Sequence, residues 1–202
     1  DDLKLPHPPK SEPVPMVGMV TRMTAQKGLD ILAAALDAIM ALGLQLVMLS
    51  SGDPALERLF LDGERRYPDR MRLIRGFNET MAHRIQAGSN MFLMPSLFEP
   101  CGLTQMYALK YGTVPVVRAT GGLRDTITEF DPKTMEGNGF LFTPYTAAAM
   151  TAALERAIAV YSRPSQWSRL MGNCFKSEFS WDRAAGEYLE WFERLRHARP
   201  ST

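Results

Sequence analysis

Residues 90–117, "NMFLMPSLFEPCGLTQMYALKYGTVPVV", hold two apolar runs on either side of an amphipathic one. "NMFLMPS" (90–96) and "TVPVVRA" (113–119) are continuous rather than alternating, the pattern of strands covered on both faces. Between them "GLTQMYALKYG" (102–112) reads as a helix that opens at Gly102 and closes on Gly112 as its C-cap. Strand, helix and strand so close together predict a right-handed crossover and a parallel pair. One acid, Glu99, stands just ahead of the predicted helix start. Helix starts carry unpaired N–H groups and attract anions, so a carboxylate at that place needs a reason.

Working outward, the same alternation repeats. Further strand candidates are "VPMVGMV" (14–20), "LQLVMLSS" (44–51), "MRLIRG" (71–76) and the weaker "GFLFT" (139–143). Leu29, Leu32, Leu36, Ile39 and Met40 form an apolar stripe at helical spacing between the first two. Strict alternation predicts an α/β fold with a doubly wound parallel sheet, Rossmann-like in type. After Thr143 the pattern is helical only. Met150, Ala153, Leu154, Ala157, Ile158 and Tyr161 make one stripe. Trp181, Ala184, Ala185, Tyr188, Leu189, Trp191, Phe192 and Leu195 make another, more apolar than a small sheet edge needs, so part of it is expected to be exposed or self-associated. The leader "DDLKLPHPPKSEPVP" is rich in proline and charge. The expected organisation is therefore a linker over 1–13, a nucleotide-binding domain over 14–180 and a C-terminal helix over 181–202. A chain beginning in a linker is expected to be part of something longer.

Composition narrows the function classes. With 202 residues, 46% hydrophobic and 22% charged, the chain can build one ordinary globular core. A formal net charge of +1 supplies no field for nucleic acid or an anionic membrane. No apolar run reaches the roughly 18 residues of a spanning helix, so neither partner is expected. Two cysteines, Cys101 and Cys174, make neither a disulfide framework nor a zinc site and suit a reducing compartment. No Asp-x-Asp pair or His–carboxylate cluster suggests a metal, no cofactor is implied, and no Ser–His–Asp set can be assembled.

In open parallel sheets ligands bind at the carboxyl ends of strands, which directs attention to "TRMTAQKGLD" (21–30), "GFNET" (76–80), "FEPCGLT" (98–104) and "TGGLRD" (120–125). Arg22 and Lys27 can converge on one oxyanion, or can be two solvated cations. Gly102, Leu103 and Thr104 can offer amides and a hydroxyl to an anion, or simply start a helix. Gly121 and Gly122 can form a ligand loop or a tight turn. Glu99 can accept from sugar hydroxyls or from a nearby backbone N–H. His83 reads as structural or solvated, and Cys101 as a packing residue.

"TRMTAQKGLDIL", "PSLFEPCGLTQMYALKYGTVPVV" and "TGGLRDTI", in this order, resemble the C-terminal domain of bacterial glycogen synthases and plant starch synthases. The resemblance covers about Val14 to Asp182 and implies one half of a GT-B fold, whose other half binds the acceptor. It implies a retaining glucosyltransferase that moves glucose from ADP-glucose to the non-reducing end of an α-1,4-glucan. Arg22 and Lys27 would neutralise the donor diphosphate, and Glu99 would hold the glucose hydroxyls. Gly102, Leu103 and Thr104 would meet phosphate, Gly121 and Gly122 would line the donor site, and Phe77 would lie against adenine. Tyr107 stands eight positions after Glu99, where many retaining GT-B enzymes have a ribose-binding Glu. The resemblance also implies bacterial cytoplasm or plastid stroma, a last helix that crosses to the acceptor domain, and no turnover by this part alone. Alternatives are a related GT-B enzyme with another nucleotide sugar, and a non-catalytic nucleotide-binding module.

Overall fold

The computed structural model describes residues 3, 5–6 and 13–197. Six strands form one parallel sheet in the order β3-β2-β1-β4-β5-β6. They are β1 (Met16–Met23), β2 (Gln45–Gly52), β3 (Met71–Arg75), β4 (Met91–Met94), β5 (Val114–Arg118) and β6 (Phe140–Phe142). Between and after them come α1 (Leu29–Ala41), α2 (Pro54–Arg66), α3 (Glu79–Gly88), α4 (Thr104–Lys110), α5 (Gly121–Thr126), α6 (Ala147–Tyr161), α7 (Pro164–Lys176) and α8 (Trp181–His197). All six predicted strands form, and the doubly wound α/β architecture is the expected one.

The core follows the periodicities. β2 and β4 are buried almost throughout, as continuous apolar runs demand. The stripe of α1 from Leu29 to Met40 packs into the main cluster with Met150, Leu154 and Ala157 of α6. A second cluster, Val47, Leu49 and Ile85, lies beneath α3. Gly18 permits that approach: a Cβ there would stand 2.3 Å from Ser89 Oγ and 2.9 Å from Ile85 Cγ2.

Two predicted boundaries move. β1 runs to Met23 rather than Val20, because its pairing with β2 continues from Met16↔Gln45 to Met23↔Gly52. Arg22 therefore sits on the strand end itself. The helix predicted from Gly102 begins at Thr104, since Gly102 has a left-handed φ of 74°, which no right-handed helix contains. The leader also departs from a free linker where it is described. Leu3 and Leu5 pack on the cluster beneath α3, and Pro6 O accepts from Gln45 Nε2 at 2.9 Å. The remaining leader positions, 1, 2, 4 and 7–12, and residues 198–202 of the last helix lie outside the described residues.

Candidate functional site

β1 and β4 are neighbours in the sheet but not in sequence. Such a switch point leaves a crevice at the carboxyl ends of the strands. A cleft of about 290 Å³ opens there, with Met19, Leu49 and Leu93 on its floor. Arg22, Lys27, Phe77, Glu99 and Thr104, all singled out from sequence, line it.

Two loops build its charged corner. After β1 the chain makes a 3-10 turn, Ala25–Lys27, ended by Gly28 with a φ of 69°. A Cβ on Gly28 would lie 2.0 Å from Pro95 O, so only glycine lets this turn press on the loop after β4. Gln26 ties the two together: its carbonyl accepts from Leu97 N at 2.8 Å, and its Nε2 donates to Phe98 O at 3.2 Å. Lys27 Nζ thereby stands 2.6 Å from Glu99 Oε2, which also accepts from Ser96 Oγ at 3.1 Å.

Glu99 is buried, with 8% of its surface exposed. A buried carboxylate without a partner would be strongly unfavourable, and Lys27 offsets that cost. Arg22 is exposed, and its side chain makes no hydrogen bond or ion pair among the described residues. Two cations against one acid leave the lining net positive, with Arg22 unspent. Phe77 stands on the rim, 85% exposed, with its ring available to a flat ligand.

The other candidates lie around the cleft rather than in its lining. Gly102 and Leu103 lead into α4, where Leu103 as N-cap provides no side-chain acceptor for the first-turn amides. Thr104, which does line the cleft, donates from Oγ1 to Met94 Sδ at 3.5 Å. Tyr107 is on α4 and 45% exposed, away from the lining. Gly121 and Gly122, expected in a loop lining the site, instead open α5 and back the acid's loop. A Cβ on Gly121 would fall 2.1 Å from Glu99 O, and one on Gly122 only 1.8 Å from Cys101 O. Gly122 N donates to Glu99 O at 3.0 Å. Glycine at both positions lets two backbones touch. Cys101, expected as a packing residue, is exposed, next to the left-handed turn at Gly102. His83 lies on α3, its Nδ1 3.0 Å from Tyr111 Oη, outside the cleft lining.

Sequence reasoning missed the supports. Gln105 is fully buried, and its Nε2 donates to Cys101 O, Gly102 O and Thr126 Oγ1 at 3.2, 2.8 and 3.2 Å. It fixes the turn from beneath. Its place inside the distinctive "FEPCGLTQ" run was the available signal. Arg118, the last residue of β5, reaches the carbonyls of Ser96 and Leu97. Among the described residues no group of three His, Cys, Asp or Glu could hold a metal ion, and no helix is long and apolar enough to cross a membrane.

Comparison with known proteins agrees with this fold. Residues 3–169 match the family glycosyl transferases group 1. Glycogen synthase from Geobacillus thermodenitrificans is 46% identical over 187 residues, covering 93% of this chain and 39% of that protein. Glycogen synthase from an Anaeromyxobacter species is 49% identical over 182 residues, covering 90% and 38%. Among solved structures, the catalytic domain of starch synthase IV from Arabidopsis thaliana, bound to ADP and acarbose, superposes with a TM-score of 0.84. It is 37% identical, over 96% of this chain and 40% of that one. The chain thus spans about two-fifths of the length of these relatives. A parallel sheet with its switch point at β1 and β4, a basic pair and an acid in the crevice there, and a family match over most of the length lead to one statement: this chain belongs to the glycosyl transferases group 1 family.

Proposed function

We propose that the chain is the donor-binding part of a retaining glucosyltransferase of the glycogen and starch synthase type, with ADP-glucose as donor and an α-1,4-glucan as acceptor. The observation that carries this is the convergence of Arg22, Lys27 and Glu99 in one cleft at the β1–β4 switch point. The binding of ADP by the Arabidopsis starch synthase IV catalytic domain supports the choice of nucleotide.

The acid ahead of α4 then has its reason. A nucleotide sugar carries an anionic diphosphate and a hydroxyl-rich ring. The diphosphate meets Arg22, Lys27 and the first amides of α4. The carboxylate of Glu99 accepts from the sugar hydroxyls, which a phosphate could not offer. Before ligand arrives, Lys27 and Glu99 neutralise each other at 2.6 Å. When it arrives, each gains a partner of the opposite kind, and neither charge is left buried alone. As the glycosidic bond breaks, negative charge grows on the departing diphosphate, and the fixed cations stabilise it without reorganising. Phe77 at the rim would cover the adenine face.

A cleft of about 290 Å³ lies at the small end of the roughly 300–1,000 Å³ usual for ligand sites. In this reading it is one wall, and the acceptor approaches from a facing surface. Excluding water and orienting the glucan hydroxyl need that second wall. The 202 residues are therefore expected to bind ADP and not to extend glycogen until joined to an acceptor domain.

The test is calorimetric titration of ADP and AMP. Charge-assisted bonds to phosphate contribute roughly 1.5–3 kcal/mol each. Arg22→Ala and Lys27→Ala should therefore each weaken ADP about tenfold or more, and AMP less. Equal losses for the two nucleotides would remove the diphosphate role.

A further inference from the structure

Arg118 closes β5 and lies outside the lining of the cleft. Its guanidinium nonetheless holds three backbone carbonyls from two other crossovers. Nη1 donates to Leu97 O and, at 3.4 Å, to Ser96 O; Nε donates to Thr143 O at 3.2 Å. The same group lies over the Tyr145 ring, 5.3 Å from its centroid. Tyr145 Oη in turn donates to Asp30 Oδ1 at 2.5 Å. Asp30 is in the first turn of α1, directly after the turn that carries Lys27. A continuous path therefore runs from the loop of Glu99, through Arg118 and Tyr145, to the helix that follows Lys27.

The chemistry of this path is specific to arginine. Carbonyls in two directions need a planar fork with N–H groups on different edges, and a stacked ring needs a flat cation. A lysine ammonium at the same place reaches one carbonyl and stacks poorly. Burial raises the Tyr145 phenol well above its ordinary range, and the bond to Asp30 raises it further. A phenol is protonated at neutral pH in any case, so Tyr145 donates to Asp30 there.

We infer that Arg118, with Tyr145 and Asp30 behind it, is a positioning residue. It sets the loop from Ser96 to Glu99 so that the carboxylate stands where it meets both Lys27 and the ligand's hydroxyls. It never touches the ligand. Gln26 holds the same loop from the other side, so loss of Arg118 loosens the corner without dissolving it. This rests on the reading above, that the cleft takes a nucleoside diphosphate sugar with Glu99 on the sugar.

The experiment titrates ADP-glucose and ADP against the wild-type chain, Arg118→Ala, Arg118→Lys, Tyr145→Phe, Glu99→Gln and the double variant Arg118→Ala/Glu99→Gln, with thermal midpoints for each. Arg118→Ala should weaken ADP-glucose about tenfold and ADP about twofold, a difference of about fivefold, near the net worth of one ordinary hydrogen bond. Arg118→Lys should stay within about twofold of Arg118→Ala, and Tyr145→Phe should fall between it and wild type. In the Glu99→Gln background, Arg118→Ala should add no more than the about twofold loss it shows with ADP, since coupled residues are non-additive. Equal losses of both ligands, full rescue by lysine, or additive losses in the double variant would each overturn the positioning role. If Arg118→Ala does not fold, the lysine and phenylalanine variants carry the same test. If Glu99→Gln binds ADP-glucose as wild type does, the parent reading fails instead, and the result is told apart from failure of the brace.

Discussion

Helices α6 and α8 carry the same kind of message in sequence and meet opposite fates. Each has an apolar stripe at helical spacing. In α6, Met150, Ala153, Leu154 and Ala157 are completely buried against the core that α1 shares. In α8, Tyr188, Leu189, Trp191, Phe192 and Leu195 are all exposed, each by 60% or more. Its aromatic side chains find partners along their own helix: Tyr188 stacks on Phe192 at 6.4 Å, and Arg194 lies over Trp191 at 5.7 Å. Period sets which residues share a face. Only a facing surface decides whether that face is buried, and periodicity carries no information about it. The apolar face of α8 is exposed along its length, in keeping with the expectation that part of it would be.

The contrast can be broken most decisively in the core. Leu154→Ala should lower the unfolding free energy by about 2–5 kcal/mol, the range for deleting a buried leucine. Trp191→Ala should change it by less than about 0.5 kcal/mol, as at other exposed sites. Urea titrations showing comparable losses would mean that α8 is packed in solution.

A pair of glycines sharpens it with opposite signs. Gly122→Ala puts a Cβ 1.8 Å from Cys101 O, inside the corner that holds Glu99. Such overpacking should cost about 1–3 kcal/mol. Gly186 lies in α8 with nothing within 4 Å of the added atom. Gly186→Ala should strengthen that helix by about 0.5–1 kcal/mol, read as slower amide exchange between Trp181 and His197. Faster exchange there would contradict an unpartnered helix.

How much was legible follows the same line. The strands could be read because β2, β4 and β5 are buried on both faces and so are nearly continuous apolar runs. Arg22, Lys27 and Glu99 could be read as candidates because they sit where strands give way to helices. That Lys27 and Glu99 meet could not, since they are 72 positions apart and their loops are joined by the pressing of Gly28 on Pro95 and by the hydrogen bonds of Gln26. Arg118 falls inside the predicted strand 113–119 with nothing local to single it out, and its grip on Ser96 and Leu97 depends on the β4–β5 register. Gly121 and Gly122 read as a ligand loop or a tight turn, and local sequence does not reveal that a second backbone lies against them. In each case the missing information was a contact distant in sequence.

The central claim is a division of labour in one cleft, with the cations on the diphosphate and Glu99 on the sugar. Glu99→Gln separates the two halves of that claim in a single titration. The substitution keeps the shape of the side chain and removes its charge, so Lys27 loses its ion pair and becomes freer for phosphate. The account predicts that Glu99→Gln binds ADP at least as tightly as wild type while binding ADP-glucose about tenfold more weakly, the loss of charge-assisted hydrogen bonds to the sugar. ADP-glucose affinity unchanged by the substitution, or ADP affinity falling in step with it, would contradict the account.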